Sequence, residues 1–292
     1  MIRFGKESDF SSIKTLWQAC FGDDIDYIEN FLQEIFKPDN CLIYEEEGEV
    51  LSFLFILNAE LKAGERVLSA GYIYAACTRE DRRRQGHMSA LMAKSREHAR
   101  ELNLDLLFLV PAKKELFNYY EKFGFKKAFK RKEFILDREI MTILADSESS
   151  QGEFDLEKLH DIRRATLLKQ AGIIWPKDIF SYSFSENELA GGENIYASLK
   201  GQLVGYAQAY SKDDKCYIKE FCAQSKGPGA LIKQILDRFT LAESFEFSLA
   251  MDFPFSCDDF VIIENAMALP LTDEAKNRLD ENKNAYMGLT LG

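Results

Sequence analysis

Two short segments carry residue types that could do chemistry together. Arg83-Arg84-Gln85-Gly86-His87-Met88 lies between an apolar run ending at Cys77 and a stretch with apolar residues at helical spacing. Free backbone N–H groups at a helix start, with the positive end of the helix dipole, favour a phosphate there. Gly86 removes a side chain where a ligand must approach the backbone. Arg83 and Arg84 can neutralise a pyrophosphate, and His87 is a neighbour for the phosphates. The second segment is Tyr120-Glu121-Lys122-Phe123-Gly124-Phe125. A phenol with an ordinary pKa of ~10 is protonated at neutral pH and can give its proton to a leaving group. Each segment alone has a plainer reading, a solvated basic turn and a packed core tyrosine. Their succession along the chain fits a single ligand.

The elements that must position these segments are legible from periodicity. Ile2–Phe4 reads as a strand, and Asp9 as the N-cap of a helix with apolar residues at Ile13, Leu16, Trp17 and Cys20. Tyr27–Phe36 reads as a second amphipathic helix, ended by Lys37-Pro38. Strands follow over Cys41–Glu45, Val50–Leu57 and Ala70–Cys77, the second almost wholly apolar, as a strand covered on both faces would be. Met88, Leu91, Met92, Ala99 and Leu102 mark a helix that Asn103 suits as a stop. Leu106–Val110 is a buried strand, Lys114–Lys122 a short helix, and Phe125–Leu136 a last pair of strands. The polar segment 146–152 (DSESSQG) is the expected boundary between domains at 1–145 and 153–292. The second half repeats the order loosely. A helix covers Leu156–Leu168, and strands cover Ile195–Leu199, Leu203–Tyr210 and Tyr217–Cys222. A helix at Ala230–Phe239 and a strand at Phe245–Met251 follow. A duplicated α/β fold is the expectation.

Composition excludes several classes of function. The chain has 292 residues, of which 46% are hydrophobic and 29% charged, the profile of a globular protein. It has no apolar run of bilayer-spanning length and no secretory signal at its start, so no membrane partner is expected. Six scattered cysteines and three histidines show no metal-ligand spacing, so no metal is expected and the thiols read as reduced and cytoplasmic. A net charge of -11 argues against nucleic acid. The acidity is uneven: residues 1–145 hold 22 Lys+Arg against 24 Asp+Glu, and residues 146–292 hold 15 against 24. Arginines clustered on an acidic chain suit one small anionic ligand.

The two segments together resemble the GNAT superfamily of N-acetyltransferases. The family's acetyl-CoA loop maps onto Arg83–Met88, and its tyrosine–glycine–aromatic element onto Tyr120–Phe125. Met88 stands where the family's loop ends in a small residue, and Glu80 where a proline is common. The resemblance implies acetyl-CoA as co-substrate and direct transfer of the acetyl group to a primary amine of a small molecule or peptide. Ala76, Cys77 and Thr78 would offer backbone hydrogen bonds to the acetyl carbonyl and pantetheine arm. Leu109 and Val110 would line the gap beside them. Arg83, Arg84, Gln85, Gly86, His87, Met88 and Ser89 would wrap the pyrophosphate, and Tyr120 would protonate the departing thiolate.

The tandem order is similar to the Eis-like acetyltransferases, which join a working GNAT domain to a degenerate one. The fold expected is therefore a mixed-sheet α/β pair of GNAT-like domains. In the second, the phosphate-loop position reads Gln224-Ser225-Lys226-Gly227-Pro228-Gly229; it lacks an arginine, and Pro228 has no N–H to donate. Eis-like enzymes also imply a C-terminal carboxylate, here Gly292, as the base. Lys126, Lys127, Lys130, Arg131 and Lys132 read as the exposed face of a strand, Cys77 as a packing residue, and Trp175, Tyr182 and Phe184 as walls of an acceptor pocket. Two other readings stay open: a CoA- or partner-binding module without chemistry, and a transferase using aminoacyl-tRNA. Oligomeric state is open too.

Overall fold

The computed structural model describes residues 1–167, 171–253, 259–289 and 291. Its elements, in chain order, are β1 (Ile2–Phe4), α1 (Phe10–Phe21), α2 (Ile25–Glu34), β2 (Cys41–Glu46), β3 (Glu49–Ala63), β4 (Arg66–Thr78), α3 (His87–Glu101), β5 (Leu106–Leu109), α4 (Glu115–Glu121), β6 (Lys126–Asp137) and α5 (Arg138–Leu144). There follow β7 (Ser149–Gln151), α6 (Leu156–Thr166), β8 (Gly172–Ile174), α7 (Lys177–Leu189), β9 (Glu193–Leu199), β10 (Gln202–Lys212), β11 (Lys215–Ala223), α8 (Pro228–Arg238), β12 (Ser244–Leu249), β13 (Val261–Pro270) and α9 (Asp273–Glu281).

The residues group into two compact units. The first holds Met1–Leu61, Val67–Ala128 and Asn265–Glu281; the second holds Lys62–Arg66, Phe129–Glu264 and Asn282–Gly292. These units do not follow the chain linearly, as a division at 146–152 would. The polar segment 146–152 lies inside the second unit, where β7 pairs antiparallel with β9.

In the first unit the strand order is β1-β2-β3-β4-β5-β13. β1, β2 and β3 are antiparallel neighbours. β4 and β5 are parallel, joined by the α3 crossover, and β13 closes the sheet antiparallel to β5. The helix α3 buries Leu91, Met92, Ser95, His98 and Ala99, a stripe at 3.6-residue spacing. Leu91, Met92 and Ala99 pack with Leu54, Ile56, Leu107 and Phe125 in the core. α1 ends where Gly22 takes φ +81, a left-handed turn that suits glycine. Its buried Trp17 sits among Phe31, Phe55 and Tyr74 at 5.1–5.8 Å between ring centroids, and its indole N–H donates to Asp23 at 2.7 Å.

The second unit repeats the plan. Its strand order is β6-β12-β11-β10-β9-β7, with β9, β10 and β11 antiparallel and β11 parallel to β12 across α8. β6 pairs antiparallel with β12, as β13 does with β5 in the first unit. Each unit thus completes its sheet with a strand from the other half of the sequence. Under the sheet of the second unit, Ile218, Leu231, Ile235 and Phe247 form the core. Arg163 and Glu220 are an ion pair within it: Arg163 Nε donates to Glu220 at 2.9 Å, and its other nitrogens donate to the carbonyls of Ile173 and Met287.

Several local expectations need correction. The Asp9 side chain does not cap α1; it accepts two bonds from Arg3 at 2.7 and 2.8 Å and one from the Lys6 N–H at 2.8 Å. A nearby guanidinium outbids neutral helix donors for a carboxylate. Residues 126–137 form one strand rather than two. Its basic run is not wholly exposed: Lys132 is 3% exposed and donates to the Phe253 carbonyl at 2.6 Å, and Lys127 lies over the Phe117 ring at 5.5 Å. Trp175, Tyr182 and Phe184 are buried core residues of the second unit.

Candidate active site

The two sequence segments meet in one cavity of about 660 Å³ within the first unit. Its walls come from the end of β4, the loop and first turn of α3, one face of α4 and the end of α1. Each wall has a local cause.

β4 runs beside β5 only from Ala70–Ile73, opposite Leu106–Leu109. Ala75 then takes φ +48, a backbone state rare for a side-chain-bearing residue and typical of a bulge. Beyond it, β4 continues to Thr78 while β5 has ended, and Ala76, Cys77 and Thr78 line the opening. Two of the carbonyls there already have donors. Ser52 Oγ donates to Cys77 O at 2.7 Å, and Arg83 Nε donates to Thr78 O at 3.3 Å. Leu109 is buried in the core and stands outside the lining, as does Val110.

The loop turns through two left-handed residues, Arg84 at φ +64 and Gly86 at φ +91, before α3 begins at His87. A Cβ built on Gly86 would meet nothing within 4 Å, so the helix start faces open space. Arg83, Arg84, Gly86, His87, Met88 and Ser89 line the cavity; Gln85 does not, and its side chain donates to Asp81 O at 3.3 Å. Arg82 and Arg83 have acidic neighbours in Glu46 and Glu80 at 3.6 and 4.0 Å. Among the described residues Arg84 makes no ion pair. His87 is 6% exposed, its ring lies 4.3 Å from that of Tyr44, and its Nε2 is buried without a hydrogen-bond partner among the described residues.

Tyr120 lines the same cavity at 9% exposure, packed 5.3 Å from Tyr119 and 6.2 Å from Phe125. Burial, and then the neighbouring Tyr119 hydroxyl, push its pKa up to about 12. Tyr119 also lines the cavity, and burial raises the pKa of its phenol. Cys20, Phe21, Tyr119 and Leu116 join this site without having been expected from sequence. The i, i+1 pair of tyrosines was the available signal for Tyr119; nothing local marks Cys20. Gly292 lies outside the described residues.

The second unit has no counterpart at its own helix start. A Cβ on Gly227 would meet the Val204 carbonyl at 2.5 Å, and one on Gly229 the Leu144 carbonyl at 2.9 Å. Asp146 N–H also donates to Gly229 O at 2.9 Å. Protein backbone fills the space that is open at Gly86.

Known proteins share part of this sequence pattern and this fold. Residues 1–128 match the family model described as an acetyltransferase (GNAT) domain. No curated protein matches the sequence. Among solved structures, a probable N-acyltransferase from Enterococcus faecalis aligns over 94% of this chain and 73% of its own, with 14% identity and a TM-score of 0.76. A GCN5-related N-acetyltransferase from Kribbella flavida aligns over 94% and 72%, with 15% identity and a TM-score of 0.76. Eis1 from Mycobacterium abscessus aligns over 94% and 75%, with 12% identity and a TM-score of 0.70. At these identities the likeness is one of fold.

Proposed function

We propose that this chain, whose residues 1–128 match an acetyltransferase (GNAT) domain, transfers an acetyl group from acetyl-CoA directly to a primary amine on a small molecule or peptide. The observation that carries this reading is the convergence of Thr78, Arg84, Gly86 and Tyr120 on one cavity. The fit to acetyl-CoA is physical. The open helix start at Gly86 and the guanidinium of Arg84 suit a pyrophosphate, and the unpaired Nε2 of His87 adds a polar contact.

In this mechanism the end of β4, which runs on to Thr78 beyond the end of β5, holds the thioester against its backbone. Tyr120 holds its proton until sulfur develops negative charge, then donates it; a raised pKa keeps the phenol in its acid form throughout. The acceptor amine reacts as the neutral base. The acidic balance of residues 146–292 favours a cationic acceptor.

Calorimetric titration with acetyl-CoA tests the donor. A charge-assisted hydrogen bond is worth about 1.5–3 kcal/mol, so Arg84→Ala should weaken binding by about 10- to 100-fold. Affinity no better than millimolar, unchanged by Arg84→Ala, would overturn the assignment. Release of free thiol with an amine panel separates the enzyme from a module that binds CoA without chemistry.

A further inference from the structure

Two thiols that this chemistry does not use share the cavity wall. Cys20, near the end of α1, is half-buried and lines the cavity; Cys77, on β4 and next in the chain to Thr78, is 4% exposed and lines it too. Each thiol perturbs the ionisation of the other. Cys20 Sγ also lies 3.5 Å from Thr78 O and 3.9 Å from Arg83 Nη2. The other described cysteines, Cys41, Cys216 and Cys222, are buried and do not line the cavity.

The pair is chemically asymmetric. The Cys77 S–H and then the Arg83 guanidinium stabilise a Cys20 thiolate and draw its pKa down to about 6. Burial pushes the Cys77 thiol up, so it stays protonated. An accessible thiolate beside a buried thiol is the arrangement of an attacking and a resolving cysteine.

We propose that Cys20 and Cys77 are a hydroperoxide-reactive pair that closes to a disulfide across the wall of this cavity. The Cys20 thiolate attacks one oxygen of the hydroperoxide; an S–O bond forms, the O–O bond breaks, and the other oxygen leaves as hydroxide or alkoxide and takes up a proton. Cys20 is thereby oxidised to a sulfenic acid and the peroxide is reduced. The Cys77 sulfur then attacks the sulfenic sulfur, its proton joins the departing hydroxide, and water leaves as the S–S bond forms. A disulfide length of about 2.0 Å draws the end of α1 onto residues 76–78, so the oxidised protein should bind acetyl-CoA less tightly. That consequence rests on the donor assigned above; the cross-link does not.

The full chain, reduced and desalted, is exposed to one equivalent of hydrogen peroxide, alkylated in denaturant with N-ethylmaleimide, and mapped by non-reducing peptide mass spectrometry. The result expected is a cross-linked peptide joining Cys20 to Cys77, with both thiols protected from alkylation and restored by dithiothreitol. In Cys77→Ser, Cys20 should stop at the sulfenic acid and be trapped by dimedone. Because Cys77 is in the core, Cys20→Ser provides an independent arm, in which Cys77 should remain reduced. Cys20 and Cys77 both alkylated after peroxide, Cys20 oxidised without joining Cys77, or a bond from Cys20 to another cysteine would each overturn the proposal. Failure of the reduced protein to bind acetyl-CoA would instead remove the donor assignment and leave the cross-link standing.

Discussion

Removing one oxygen atom, by Tyr120→Phe, isolates the proposed acid from the pocket that holds it. The ring would keep its contacts with Tyr119 and Phe125, at 5.3 and 6.2 Å, so folding and acetyl-CoA affinity should change little. A positioned general acid contributes about 100- to 10,000-fold, equivalent to roughly 3–5 kcal/mol of barrier at 1.36 kcal/mol per decade. The pH dependence is the sharper measurement. A phenol with the ordinary pKa of ~10 is about one-tenth ionised at pH 9. With the pKa raised by burial to about 12, only about one molecule in a thousand is ionised there. Turnover of the wild type at saturating acetyl-CoA and amine, followed by thiol release, should therefore stay level from pH 8 to pH 10. A basic limb with its midpoint near 10, or wild-type turnover in Tyr120→Phe, would refute the assignment. A parallel fall in kcat and acetyl-CoA affinity would show the hydroxyl to be a binding contact.

Other substitutions test the fold around the site. Gly86→Ala meets no atom within 4 Å, so its cost is the left-handed backbone alone, about 1–2 kcal/mol. Gly227→Ala sets a Cβ 2.5 Å from the Val204 carbonyl, and overpacking should cost about 1–3 kcal/mol through strain in the second unit; urea midpoints compare the two, and acetyl-CoA affinity should respond only to the first. Glu220→Ala strands the buried Arg163 and should cost about 3–5 kcal/mol, much of it recovered in the double variant Arg163→Met, Glu220→Leu. The Arg3 guanidinium holds the Asp9 carboxyl below the usual carboxylate range. The folded state therefore binds that proton less readily than the unfolded chain. The stabilisation is whole above the unfolded value of ~3.9 and is lost as pH falls through the folded one. Asp9→Asn should flatten that acid limb of the stability curve, and an unchanged limb would exclude the ion pair as its source.

The turn from Arg83 into α3 and the helix that carries Tyr120 were legible in sequence because their signals are local. A glycine before a helix start, arginines beside it and a strand before it lie within a few residues of one another, and turn chemistry acts over that range. The stripes of α3 and α8 and the apolar runs of β3 and β5 were readable for the same reason: periodicity records which face is buried. Periodicity does not record the partner. Nothing near residues 126–137 or 261–270 states that β6 completes the sheet of the second unit or that β13 completes the first. Sheet pairing is chosen by hydrogen-bonding edges brought together from far along the chain. Lys132 reads as an exposed cation, yet tertiary packing buries it and supplies a carbonyl for its ammonium. Cys20 reads as one more apolar position on a helix, yet packing sets it against Cys77 and Arg83. Sequence alone determined the local pieces and their order; only the three-dimensional structure decided which distant side chains share the cavity, because burial and electrostatic neighbours are properties of surfaces in contact rather than of neighbouring positions in the chain.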